Sequence, residues 1–287
     1  MIKHNQKIVL ITCPDQKGII TKFTKLLYDF NVNILTMEEH VENRLNMFFL
    51  RMVLDISDIR DSIEKLVQSI QKATNDIGGK FEFFDKSEKV NTAIFVTKEQ
   101  LPLYDLLIRH EIGQLNCNIK FILSNHIDLE NVSNRFNIPF YHFPITSKTK
   151  NIYEPSILDL INQEKIELIV LARYMQILSP SFLTNFNHEI INIHHGFLPA
   201  FKGAKPYRQA WEKGVKLIGA TAHYVTNDLD EGPIISQDVK PVNHTFSIKE
   251  MIDAGQDIER RVLTNAVRAH LERRIIVFQG RTIIFNR

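Results

Sequence analysis

Apolar residues in the first part of the chain change period in a regular order. Residues 7–12 form a short β-rich run closed by Cys13-Pro14-Asp15, a turn signal. Ile19, Ile20, Phe23, Leu26, Leu27 and Phe30 then recur at spacings of three and four, which predicts a one-faced helix. Residues 31–37 and 47–55 read as strands around the polar stretch 42–46. A second helix is expected from an N-cap at Ser57 or Asp58, with Ile59, Ile63, Leu66, Ile70 and Ile77 on one face and a stop at Gly78-Gly79. A strand over 80–84 closes the set. The order is β-α-β-β-α-β, the split arrangement of ferredoxin-like domains.

Residues 85–89 are polar and without period, and read as a linker. Beyond it, β-branched runs at 91–97, 118–124, 140–143, 167–172 and 189–194 alternate with helical patterns at 103–111, 128–136, 156–163 and 180–186. Alternation of this kind predicts a Rossmann-like, mostly parallel sheet covered by helices. The division expected is 1–86 and 87–287. Two helical stretches from Ser247 to about Arg273 and a hairpin around Gln279-Gly280-Arg281 follow within the second domain. In open sheets ligands bind beyond the carboxyl ends of the strands, which singles out the residues from Arg173 and from Asn192 onward.

Composition narrows the chemistry. The chain has 287 residues, and at roughly 100–200 residues per domain two domains are expected. Lys plus Arg total 35 against 33 Asp plus Glu, a formal charge of +2 that gives no reason to expect nucleic acid or an acidic membrane as partner. The amino-terminal apolar run is too short for a signal-peptide core, and no run approaches the roughly 20 residues that span a bilayer. Only Cys13 and Cys117 are present, too few for a disulfide framework or a cysteine zinc site. A soluble protein of the reducing cytoplasm is expected.

Polar groups concentrate where the sheet rule points. Asn192 and His194 alternate onto one side of a predicted strand end, and a second strand ending at His223-Tyr224 leads into Asp228-Leu229-Asp230-Glu231-Gly232-Pro233. An amide, an imidazole and a carboxylate suit attack on a carbonyl: the first two can stabilise an oxyanion, and the third can hold the imidazole charged and orient water. The same histidines and Asp230 could instead form a zinc site. Adjacent histidines on a strand point to opposite faces and no H-x-x-x-H helical pair is present, so no metal is expected. His188, His195 and His244 read as satisfied polar residues, and no G-x-S-x-G elbow occurs.

The segments Asn192-Ile193-His194-His195-Gly196-Phe197-Leu198-Pro199-Ala200-Phe201, Gly219-Ala220-Thr221-Ala222-His223-Tyr224-Val225 and Asp228-Leu229-Asp230-Glu231-Gly232-Pro233 resemble the formyltetrahydrofolate deformylase family. Cys13-Pro14-Asp15-Gln16-Lys17-Gly18-Ile19 and Phe48-Phe49-Leu50-Arg51 look like that family's amino-terminal ACT domain, which precedes a formyltransferase-superfamily domain. The resemblance implies hydrolysis of 10-formyltetrahydrofolate by water to formate and tetrahydrofolate, without a cofactor. It implies Asn192, His194 and Asp230 as the catalytic trio, with His223 supporting the carboxylate. Leu171-Ala172-Arg173-Tyr174-Met175-Gln176-Ile177-Leu178 matches the folate-receiving segment, which assigns Arg173, Met175, Gln176, Ile177 and Leu178 to folate.

Two departures stand out. Gly196 replaces a usual serine, and residues 97–103 lack the usual His-Cys pair, so no binding role is expected there. That stretch also lacks any glycine for a phosphate cradle, which favours water over a phosphorylated amine as acceptor. Formyl transfer to an amine is the alternative, and a folate- or amino-acid-binding regulator without turnover is a third. The ACT-like unit could bind an amino-acid effector at Asp15, Gln16, Lys17 and Gly18, or serve only to build a homo-oligomer, which its edge strands favour.

Overall fold

The structure, a computed structural model, describes residues 5–146, 148–200 and 206–286. Phe201 of the motif above lies outside them. The chain divides into two compact units: the residues up to Glu88 with Glu272–Gln279 and those from Ile283, and Lys89–Leu271 with Gly280–Thr282.

In the first unit, β1 (Gln6–Pro14), α1 (Ile19–Asp29), β2 (Asn33–Glu42), β3 (Met47–Asp55), α2 (Ile63–Asn75) and β4 (Lys80–Asp85) follow the expected order. The strands form one antiparallel sheet in the order β2-β3-β1-β4. Val9, Ile11 and Cys13 alternate onto the helical face and join Phe23, Leu27, Leu66 and Ile70 in a closed core. The second helix starts later than its apolar pattern suggested. Ser57 bonds Asp55 instead of capping, and Ser62 accepts the Lys65 amide at 3.3 Å as the true N-cap. Ile59 and Ile77 reach the core from the flanking turns. The expected linker begins tied down, because Asp85 accepts from Lys7 and Ser87, and the Lys86 amide bonds Gln6 O at 3.1 Å.

The second unit holds β5 (Val90–Val96), α3 (Leu101–Glu111), β6 (Cys117–Ser124), α4 (Glu130–Arg135), β7 (Phe140–His142), α5 (Lys150–Gln163), β8 (Leu168–Ala172), α6 (Pro180–Asn185), β9 (Glu189–His194), α7 (Pro206–Glu212), β10 (Leu217–Tyr224), β11 (Ile234–Pro241) and α8 (Ile248–Leu271). Its seven-stranded sheet has the order β11-β10-β9-β8-β5-β6-β7. The stretch from β7 to β9 is parallel, whereas β10 and β11 are antiparallel additions. Phe95, Phe121, Leu171 and Phe182 centre the core on one face. The helix α8 runs against β9, β10 and β11. It is a single helix where two stretches were expected, because Gly255 is carried through its buried face.

The carboxyl-terminal hairpin, β12 (Ile275–Phe278) and β13 (Arg281–Ile284), corrects the domain division drawn from sequence. Most of it belongs to the first unit. Ile276 and Phe285 bury the second face of that sheet with Ile8, Leu10, Phe49 and Val53, and Phe278 meets Phe49 edge-on at 5.3 Å. Arg51 fixes the approach by donating to the Arg273 and Glu272 carbonyls at 3.0 and 3.1 Å while pairing with Glu38. Burying one large apolar side chain contributes about 1.5–3 kcal/mol, so a sheet face carrying four of them requires a cover.

Candidate active site

The parallel pair β8 and β9 sets Leu171 beside Asn192, so their carboxyl ends lie together and Arg173 follows where His194 ends. Across the antiparallel pair, His223 of β10 stands opposite Asn192 and Thr221 opposite His194. The side chains follow the register: Asn192 Nδ2 lies 3.2 Å from His223 Nε2. The sheet-end rule located the first two residues but not Asp230. Because β10 is antiparallel, its own carboxyl end points away, and the carboxylate arrives on a loop that folds back. Gly232 permits that return, since a Cβ there would stand 1.7 Å from Tyr224 O. Tyr224 N closes the loop on Pro233 O at 3.0 Å, and Asp230 itself takes a left-handed φ of 58°.

Asp230 completes a four-residue cluster. Its Oδ2 lies 3.2 Å from His194 Nδ1 and its Oδ1 lies 3.6 Å from His223 Nε2. Hydrogen bonds from His194, and next from His223, hold its carboxyl well below the usual carboxylate range although burial acts the other way. His223 Nδ1 lies 2.8 Å from the Tyr224 carbonyl, an acceptor only, so that nitrogen carries hydrogen. The neutral ring then accepts from Asn192 through Nε2, and the charged ring donates to Asp230. In the neutral form one amide hydrogen of Asn192 is held while its second remains for another acceptor; in the charged form both remain for other acceptors. His194 and His223 are buried, at 4% and 2% exposure, so the cluster works largely out of bulk water.

The turn after β9 depends on one hydroxyl. Thr221 Oγ1 donates to Gly196 O at 3.0 Å and accepts from Leu198 N and Gln237 Nε2, each at 3.0 Å. The shape of the turn is thus kept from β10. Neither Thr221 nor Gln237 stands out in sequence, because a threonine on a strand is ordinary. His195 is adjacent to His194, their ring centroids 5.5 Å apart, and burial, aided by the charge of Arg173, pushes it down to about 3. It is therefore neutral near pH 7.

The segment expected to receive folate lies after β8. Met175 and Ile177 are exposed, at 55% and 61%, while Gln176 is half-buried and Leu178 joins the core. Thr97, in a stretch to which sequence gave no binding role, accepts the Met175 amide at 3.0 Å and donates to Asn125 at 2.9 Å. Arg173 differs from its neighbours: its backbone is left-handed, φ 63°, and its guanidinium is turned inward toward Glu259 at 3.5 Å. In the first unit, Gly18 is the N-cap of α1 and Gln16, Lys17 and Gly18 are exposed, with the Asp15 amide bonded to Asn46 O at 2.9 Å. Among the described residues no group of three His, Cys, Asp or Glu side chains is placed to hold a metal ion.

A strand-end amide, two imidazoles and a looped-back carboxylate thus lie together on a formyltransferase-type sheet that follows an ACT-type unit. Family models agree with this division: the ACT domain matches residues 7–68 and the formyl transferase domain residues 90–267. Formyltetrahydrofolate deformylases from Synechocystis sp. and Bacillus subtilis are 41% and 42% identical, over 96% and 97% of this chain and 97% and 93% of theirs. The crystal structure of such a deformylase from Pseudomonas syringae pv. tomato superposes with a TM-score of 0.95 at 37% identity, covering 100% of this chain and 96% of that one. The chain belongs to the formyltetrahydrofolate deformylase family.

Proposed function

We propose that the protein hydrolyses 10-formyltetrahydrofolate to formate and tetrahydrofolate, with Asn192, His194 and Asp230 as the catalytic residues. The observation that carries this reading is the Asp230–His194 pair set beside Asn192. The carbonyl carbon of the formyl group becomes tetrahedral as water adds and negative charge gathers on its oxygen; the C–N bond then breaks, a proton of the attacking water passing to the leaving folate nitrogen as formate departs. Asn192 and the His194 imidazole would meet that oxygen, and the developing charge is stabilised most where donors are already fixed and water is excluded. Asp230, ionised across the physiological range, supports positive charge on His194 and accepts a hydrogen bond from the attacking water. His223, through Nε2, holds Asn192 when neutral or Asp230 when charged, and is a positioning residue. Met175, Gln176, Ile177 and Leu178 would receive the folate ring on the loop that Thr97 secures.

An amide, an imidazole, a carboxylate and water complete this chemistry, so the proposal includes no cofactor or metal. Water is the acceptor in this reading because residues 97–103 contain no glycine for a phosphate cradle and the chain is nearly neutral, at +2. Among the described residues no helix is long and apolar enough to cross a membrane. The reading places the enzyme in the cytoplasm, supplying formate to purine synthesis. The edge strand β2, with both faces partly exposed, supports assembly into a homo-oligomer, and the turn at Asp15–Gly18 a possible amino-acid effector.

Formate release from 10-formyltetrahydrofolate by the purified protein tests the function. Stoichiometric formate in plain buffer, unaffected by a chelator, is the expected result. Formyl transfer seen only when an amine is added would replace hydrolysis with the alternative, and saturable folate binding without turnover would leave a regulator.

A further inference from the structure

A second polar cluster is buried beside the catalytic one, and the reaction above does not use it. Arg173 enters it from the end of β8, Tyr207 from α7 and Glu259 from α8. Glu259 is 1% exposed and accepts the Tyr207 hydroxyl on Oε1 at 2.6 Å. Gly255, one helical turn earlier, makes room: a Cβ there would stand 2.1 Å from Tyr207 Cζ. The Tyr207 ring lies 6.1 Å from that of His195, which neighbours His194.

The cluster is incomplete as a set of hydrogen bonds. Arg173 Nε and Nη1 and Glu259 Oε2 are fully buried with no hydrogen-bond partner among the described residues. Their mutual distance of 3.5 Å exceeds the roughly 2.7–2.9 Å of a charge-assisted bond. Native proteins rarely leave buried polar atoms unsatisfied, and a buried ion pair without good geometry is costly. An occupant with acceptor oxygens would satisfy these two guanidinium nitrogens. It would also satisfy Glu259 when that carboxyl carries a proton.

We propose that Arg173, Glu259 and Tyr207 form a receiving site for a small carboxylate, the formate product. The site lies beside the catalytic cluster, where deformylation generates that anion. This inference rests on the hydrolytic reading. Formate offers two acceptor oxygens and one negative charge, matching the donors of Arg173 and a protonated Glu259. Burial pushes the Glu259 carboxyl up, against the opposing pull of Arg173 and the Tyr207 hydroxyl, which favours the neutral form. The charged and titratable groups facing Glu259 are Arg173 from the end of β8, Tyr207 from α7, Glu99 before α3 and His194 at the end of β9. Formate binds the form in which Glu259 is protonated, so affinity does not fall as pH is lowered within the range where formate itself stays ionised.

The test is inhibition by added sodium formate, with formate binding to the folate-free protein measured in parallel by calorimetry. Wild type is expected to bind formate at least as tightly at pH 6 as at pH 8. Arg173→Met should weaken binding about tenfold or more, and Arg173→Lys should fall between, having kept the charge but lost the planar fork. Glu259→Gln keeps an acceptor for Tyr207 and is always neutral, so it should bind formate at least as well as wild type at either pH. Should Arg173→Met prove unfolded, the Lys and Gln variants decide the matter. Formate inhibition unchanged in the Arg173 variants, with KM for the folate raised instead, would overturn the proposal and give Arg173 to the substrate. Tighter formate binding at pH 8 than at pH 6 in the wild type would overturn it too. An absence of formate release in the basal assay would instead sink the hydrolytic reading, so the two failures are distinguishable.

Discussion

Asp230 shows how much of a site can rest on one backbone angle. Its left-handed φ is uncommon for a residue bearing a Cβ, and such conformations persist where the surroundings enforce them. Here the Gly232 return, the Tyr224–Pro233 bond and two histidines do so. Asp230→Asn keeps the size and removes the charge. We expect kcat to fall by about 10²–10⁴-fold with little change in folate affinity, measured as formate release against folate binding; near-normal turnover would remove the carboxylate from the mechanism. Asp85 offers a contrasting carboxylate. Lys7 and Ser87 hold its pKa down to about 2 from the usual 3.8, so its contribution to stability is present above that ordinary value and is lost as pH falls toward 2. Its side chain is 38% exposed, which limits the effect to about 0–1 kcal/mol. Asp85→Asn should flatten the acid limb of the unfolding free energy below pH 4, and an unchanged limb would show the pair to be inert.

At the scale of elements, the sequence was most informative where one periodicity ran unbroken. Residues 47–55 and 189–194 were read as the strands they form, since short, mostly apolar runs with clean polar flanks leave little choice. The start of α2 was misplaced because two capping signals compete there: Ser57 and Asp58 precede an isoleucine at the right spacing, yet Asp55 captures Ser57 and the cap passes to Ser62. The strand β11 was not read at all, its exposed half being too polar to show alternation against β10. Asn192, His194 and Asp230 could be picked from sequence, but the cross-strand register that sets His223 against Asn192 could not. Nor could Glu259, which on a helix of mixed polarity resembles a surface carboxylate until Tyr207 and Arg173 are seen against it. Thr221 was hidden in the same way. Thr221→Val would strand the buried Leu198 amide, and about 1–3 kcal/mol of stability should be lost in denaturant unfolding together with part of the turnover. Unaltered stability would show that the turn after β9 keeps its shape without the hydroxyl.

On the scale of the molecule, the division into two units was visible as a change from one pattern to another, while the destination of the last hairpin was not. Hairpins carry no address in their sequence; this one is placed by a complementary apolar face formed at the other end of the chain. Replacing Phe49 by alanine should cost about 3–5 kcal/mol, because its ring closes that face against Phe278. Ending the chain after Leu271 should expose the same face and raise binding of a hydrophobic dye, with the melting of the first unit lowered. A truncated protein with unchanged dye binding would deny the hairpin its covering role.

The hairpin also sets an order of assembly during synthesis. The strands of the first unit leave the ribosome early, but the residues that cover their second face are translated only after the whole catalytic sheet. Through that interval the nascent unit carries an uncovered apolar face, a natural ligand for chaperones.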